Sequence, residues 1–123
     1  MLQNKRIVVT GASSGIGLAI TKSLIEAGAN VIAVVRNINS DKMKSLNHVK
    51  KKHENGLKII AINLESEEEV KNKTIKLIKD FDDIFGLVNN AGQIFNGLVQ
   101  MTSRGIFSKM LDINFFAPLT ITQ

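Results

Sequence analysis

Short apolar runs alternate along the whole chain with longer segments of helical periodicity. The first run, KRIVVT at residues 5–10, is β-branched and apolar and closes on Gly11, which predicts a short buried strand. Over residues 15–27 the apolar positions Ile16, Ile20, Leu24 and Ala27 recur at helical spacing, and Gly28 occupies the place of a C-terminal helix cap. Residues 31–35 are all apolar, valine-rich and too few for a helix, hence a second strand. A lysine-rich helix follows, capped by Asn39, Ser40 or Asp41 and running to about Glu54, where Asn55 and Gly56 stop it.

Residues 57–64 (LKIIAINL) predict a third strand. Ser66 and Glu69 form a capping-box pair, and Glu67 and Glu68 suit the positive end of a helix dipole. That helix carries Val70, Ile75, Leu77 and Ile78 to about Lys79 or Phe81. A fourth strand covers residues 84–89 (IFGLVN), and after a loop with Gly92 and Gly97 a long, mostly apolar helix containing Pro118 covers residues 103–123. The order is β-α-β-α-β-α-β-α. Strands apolar on both faces, alternating with helices, predict an α/β fold with a parallel sheet covered on two sides. Right-handed crossovers make that sheet doubly wound, with a ligand crevice at the carboxyl ends of its strands.

Composition narrows the function more than the fold. A chain of 123 residues, 44% hydrophobic and 22% charged, suits one globular domain. It has no cysteine, which excludes a disulfide framework, a thiolate nucleophile and a cysteine metal site. His48 and His53 lie five apart, off any common helix face, so no metal is expected. The net charge of +5 comes mostly from lysine, densest at Lys50, Lys51 and Lys52. Every aromatic residue is a phenylalanine in an apolar segment, so no stacking platform accompanies the lysines. The run reads as a solvated helix face, with no nucleic-acid partner. Residues 1–6 are too brief and polar for a signal peptide, and no apolar run reaches membrane-spanning length; a cytoplasmic protein is the expectation. Ser103 and Ser108 have no candidate base nearby in sequence, and the Phe and Met residues between 95 and 116 read as core or helix-pairing surface.

The candidate chemistry starts at Gly11-x-x-x-Gly15-x-Gly17, on the turn from the first strand into the first helix. Gly11 lets the chain turn sharply, Gly15 lets a phosphate approach the backbone, and Gly17 lets the helix pack closely on the sheet. Backbone N–H groups at the helix start form an anion site, beside the small hydroxyl side chains of Thr10, Ser13 and Ser14. No Gly-Lys-Ser/Thr follows, which excludes an NTPase phosphate loop.

TGASSGIG (10–17), NNAG (89–92) and LDINFFAPLTITQ (111–123) occur in that order, and together they resemble the short-chain dehydrogenase/reductase family. The resemblance covers essentially the whole chain. It implies a Rossmann-like fold and a nicotinamide dinucleotide bound at Gly11, Ser13, Ser14, Gly15, Ile16 and Gly17. The second strand ends Val34-Val35-Arg36-Asn37, without the carboxylate that holds an NAD ribose. Arg36 is the candidate for a 2′-phosphate, which favours NADP over NAD. A second basic residue, carried by some relatives just before the middle glycine, is replaced by Ser14. Asn63 and Leu64 stand where relatives place Asp and an apolar residue against the adenine. Asn90, Ala91 and Gly92 would line the cofactor, with an Asn side chain tying neighbouring strands. Asn114, polar within an apolar stretch, matches the family's Asn that helps place a water in a proton relay; it is the catalytic candidate. Ala117 stands where relatives often have Gly.

The implied activity is hydride transfer between NADP(H) and a carbonyl or alcohol substrate. It needs a Tyr as acid/base, a Lys four residues later that lowers the phenol pKa, and a Ser. The chain contains no tyrosine. The expectation is therefore a partial NAD(P)-binding domain over residues 1–123, truncated after the fourth strand and following helix. It would hold the cofactor half of an NADP-dependent reductase and be inactive by itself. The fourth strand's open edge and the apolar last helix favour self-association. The alternative is a non-enzymatic dinucleotide-binding or interaction module.

Overall fold

The computed structural model describes residues 2–93 and 96–123, so Met1 and Phe95 of the segments above lie outside the described residues. The elements are β1 (Arg6–Thr10), α1 (Gly15–Glu26), β2 (Asn30–Val35) and, after a 3₁₀ turn at Asp41–Met43, α2 (Lys44–Lys52). Then come β3 (Leu57–Ala61), α3 (Glu67–Asp80), β4 (Ile84–Val88), α4 (Arg104–Leu111), a π-helical turn at Asp112–Phe116, and α5 (Ala117–Thr122). All pairings are parallel and the sheet order is β3-β2-β1-β4. The chain thus moves outward through β2 and β3, then returns to the other side of β1. That reversal creates a crevice at the carboxyl ends of β1 and β4.

Side chains alternate across a strand, and here both faces are covered. Ile7, Val9, Val31, Ala33 and Val35 pack with Ile25, Leu46 and Val49 of α1 and α2. Val8, Ile32 and Val34 pack on the other face with Val70, Leu77 and Ala117 of α3 and α5. This two-sided burial is why the strands read as continuous apolar runs.

The helices depart from the sequence pattern in their facing. In α1 the buried row is Gly17, Thr21 and Ile25, with Ile20 and Leu24 half-buried beside it. Ile16 lies one position off that row, about 100° around the helix, and is 73% exposed. In α3 the row is Val70, Thr74 and Leu77, which turns Ile75 and Ile78 to solvent. Gly28 follows α1 with φ +93, as a C-terminal glycine should. The capping box is half formed. Ser66 Oγ accepts from the Glu69 amide at 3.2 Å, but the Glu69 carboxylate reaches past Ser66 to the Asn63 amide at 3.0 Å.

Residues 103–123 do not form one regular helix. The Ala117 N–H donates to the Asp112 carbonyl, five residues back, which makes the π turn. Pro118, in the first turn of α5, has no N–H with which to continue the ladder. Of the Phe and Met residues expected there as core or helix-pairing surface, Met101, Phe107, Phe115 and Phe116 are exposed and so are not core. Their segment is buried at Ile113 and Ala117, and Ala117 packs with the Val8, Ile32 and Val34 face of the sheet.

Candidate functional site

Gly11 leaves β1 with φ +64, and a Cβ there would lie 2.9 Å from Ala91 Cα. Gly15 has φ +55 and open space where its Cβ would be. Gly17 is the tightest: a Cβ would lie 2.1 Å from the Gly11 carbonyl oxygen and 2.5 Å from Asn90 Nδ2. Each glycine therefore has its own physical reason: a turn, an open approach, and helix-to-sheet contact. Ser14 is the N-cap of α1 but makes no side-chain cap bond, so it does not compete for the N–H groups at the helix start.

The opposite wall is the end of β4, strapped to the glycine turn by side chains. Thr10 Oγ1 accepts from the amides of Asn90 and Ala91, each at 3.0 Å. Asn90 Nδ2 donates to the carbonyls of Thr10 and Gly11, each at 3.2 Å. Thr10 is 2% exposed, so its hydroxyl serves the loop and is not offered to a ligand. Valine has the same shape without the acceptor, and Thr10→Val would orphan two backbone donors. The expected loss is about 2–4 kcal/mol of stability by urea unfolding; a loss under about 0.5 kcal/mol would mean that water replaces the hydroxyl.

Asn114 lies on the π turn, and its side chain bonds one backbone unit. Its Oδ1 accepts from the Gln93 amide and its Nδ2 donates to the Gln93 carbonyl, both at 2.7 Å. A Cβ on Gly92 would come within 3.2 Å of that Oδ1. Asn114 thus fixes the course of the chain just after Asn90-Ala91-Gly92.

At the ends of β2 and β3, Arg36 Nη2 donates to Glu65 Oε1 at 3.3 Å. Asn63 makes a local turn, its Oδ1 accepting from the Glu65 amide at 3.1 Å. The Asn63 N–H, followed by Lys73, holds the Glu69 carboxyl below the ordinary glutamate pKa. This side of the site is built from local bonds and exposed ion pairs, each individually weak.

These walls enclose an open cleft of about 610 Å³, within the usual range of small-molecule sites. Gly11, Ser13 and Ser14 line it together with Arg36, Asn63, Leu64, Asn90, Ala91 and Gly92. Gly15, Ile16 and Gly17 sit at the start of α1 outside that lining, and Asn114 stands behind Gln93. Sequence reasoning missed Lys42, Glu65 and Gln93, which also line the cleft. Two of them had a signal: Glu65 directly follows the Asn63-Leu64 pair, and Gln93 directly follows NNAG. Among the described residues no group of three His, Cys, Asp or Glu could hold a metal, and no helix is long and apolar enough to cross a membrane.

A parallel sheet that reverses at β1, a glycine turn into a helix, and a cleft over the carboxyl edge define a Rossmann-like α/β protein. The family model for short chain dehydrogenase matches residues 5–123, and the chain belongs to that family. It is 38% identical over 122 residues to an L-xylulose reductase of Caenorhabditis elegans, covering 98% of this chain and 46% of that protein. Among solved structures, a metagenomic short-chain oxidoreductase in complex with NADP superposes with a TM-score of 0.86 at 26% identity, covering 98% of this chain and 53% of its own. L-sorbose reductase from Gluconobacter frateurii, complexed with NADPH and L-sorbose, gives a TM-score of 0.84 at 25% identity, with 98% and 46% covered. The chain spans about half the length of the curated relatives it matches.

Proposed function

We propose that the chain binds NADP(H) in this cleft, in preference to NAD(H), as the cofactor part of a reductase acting on a carbonyl or alcohol substrate. One observation carries the reading: the glycine turn, through Gly11, Ser13 and Ser14, and Arg36 line one cleft, with no acid at the end of β2. The relatives solved with NADP or NADPH support it. When bound, the cofactor supplies a hydride from nicotinamide C4.

The chain's own residues bind and orient. Backbone groups of Gly15, Ile16 and Gly17 receive the pyrophosphate, with Ser13 and Ser14 beside it. Asn63 and Leu64 flank the adenine, and Asn90, Ala91 and Gly92 line the path toward the nicotinamide. Arg36 takes the 2′-phosphate, and Lys42 on the same cleft adds positive charge that Ser14 does not supply. Asn114 keeps that path in place through Gln93 and, in this reading, also helps order a water for proton relay. Carbonyl reduction also needs an acid, and these 123 residues hold no tyrosine to provide it. The reading is of a cytoplasmic protein, as the sequence suggests.

Arg36→Ala is the test. NADPH affinity should fall about 10–150-fold, the worth of a charge-assisted hydrogen bond, while NADH affinity changes less than about twofold. Fluorescence titration of both cofactors reads this directly. Equal losses would remove Arg36 from the 2′-phosphate.

A further inference from the structure

We infer that Glu65 is a cofactor-selectivity residue that works against the 2′-phosphate and narrows the preference for NADP over NAD. The inference rests on the NADP site proposed above. Arg36 has an exposed side chain, and its ion-pair partner among the described residues is Glu65. The Glu65 side chain is only 21% exposed, and its other carboxylate oxygen lies 3.9 Å from Lys109 Nζ on α4. Its backbone is held by Asn63 Oδ1. The carboxylate thus has a second, more distant cation on its other oxygen and a backbone held by a local turn, whereas Arg36 reaches over it from solvent.

Both residues line the same cleft. An ionised carboxylate accepts hydrogen bonds from hydroxyls and repels phosphates. NAD sites use such a group, placed at the end of the second strand, to hold the ribose 2′-hydroxyl. Here β2 ends in Arg36, and the carboxylate arrives from the loop after β3, 3.3 Å from the guanidinium. A 2′-phosphate must share Arg36 with Glu65 or separate the pair. A 2′-hydroxyl can donate to Glu65 and leave the pair intact. The two side chains thus favour different cofactors from one position, and Lys42 and Lys109 are the nearby cations that moderate the conflict.

The experiment titrates the chain and its Glu65→Gln variant with NADPH, NADH, 2′,5′-ADP and ADP, following affinity rather than turnover. The ratio of NADPH to NADH affinity should rise roughly three- to tenfold in Glu65→Gln, and the 2′,5′-ADP to ADP ratio should follow. The gain should shrink as salt is raised, because it is a charge effect at an exposed site. Glu65→Ala should move the ratios in the same direction, with circular dichroism checking that the fold is retained. An unchanged ratio overturns the inference. So does a lower one, which would make Glu65 a positioning residue for Arg36. Arg36→Ala, titrated in parallel, separates the two levels. If it loses NADPH selectively while Glu65→Gln leaves the ratio alone, only the Glu65 role fails; if it loses both cofactors equally, the underlying NADP site fails.

Discussion

Gly17→Ala is expected to destabilise the protein by about 3 kcal/mol or more, although alanine is the better helix former by about 1 kcal/mol. The added Cβ would lie 2.1 Å from the Gly11 carbonyl oxygen, 2.8 Å from the Gly11 carbonyl carbon and 2.5 Å from Asn90 Nδ2. Two of these are backbone atoms, and the third belongs to the strap that joins β1 to β4. Relief requires lifting the start of α1 off the sheet or opening the strap. Either route also deforms the cleft, so dinucleotide affinity should fall with stability. Whole domains are stable by only about 5–15 kcal/mol, which makes this a large fraction. Urea unfolding followed by circular dichroism measures it, and an unmoved midpoint would show that the helix has slack at this junction.

Gly15→Val should separate those two losses. Valine at φ +55 costs about 1–2 kcal/mol of backbone strain, and its Cβ enters open space, so the fold survives. The isopropyl group, however, projects at the helix start where the pyrophosphate is proposed to sit. Affinity for NADPH and NADH should fall more than about 100-fold together, because the pyrophosphate is common to both. Calorimetric titration reads the affinity and thermal unfolding reads the fold. Binding within about threefold of the parent chain would sink the assignment of the glycine loop to a phosphate.

The strands were legible because two-sided burial leaves an unmistakable run of valine and isoleucine, as in β2. The three glycines were legible because each answers a separate steric demand. Which row of a helix meets the sheet was not. Ile16, Ile75 and Ile78 have the spacing of a buried face, yet the packed rows run through Gly17 with Thr21 and through Val70 with Thr74. Close approach of α1 to β1 selects the glycine row, and hydropathy does not register that preference. The π turn was legible only in part: residues 103–123 read as one long helix with a local break at Asn114 and a kink near Pro118, and the sequence did not show that the break is a π turn. Glu65 escaped notice because its partner is Arg36, 29 residues earlier. The two meet only because β2 and β3 are parallel neighbours ending in register, Val35 beside Ala61.

The strap between Thr10 and Asn90 spans 80 residues of chain. At a ribosomal rate of about 5–20 residues per second, the glycine turn is made roughly 4–16 s before the strand that walls it. During that interval β1 can acquire β2 as a neighbour, while its other side stays unpaired. The cleft is therefore assembled only once β4 has been made, by a contact whose loop-closure entropy must be met before any ligand can reward it. A ligand of this cleft cannot guide the folding steps that precede β4, and its influence falls on how long the two walls stay strapped together.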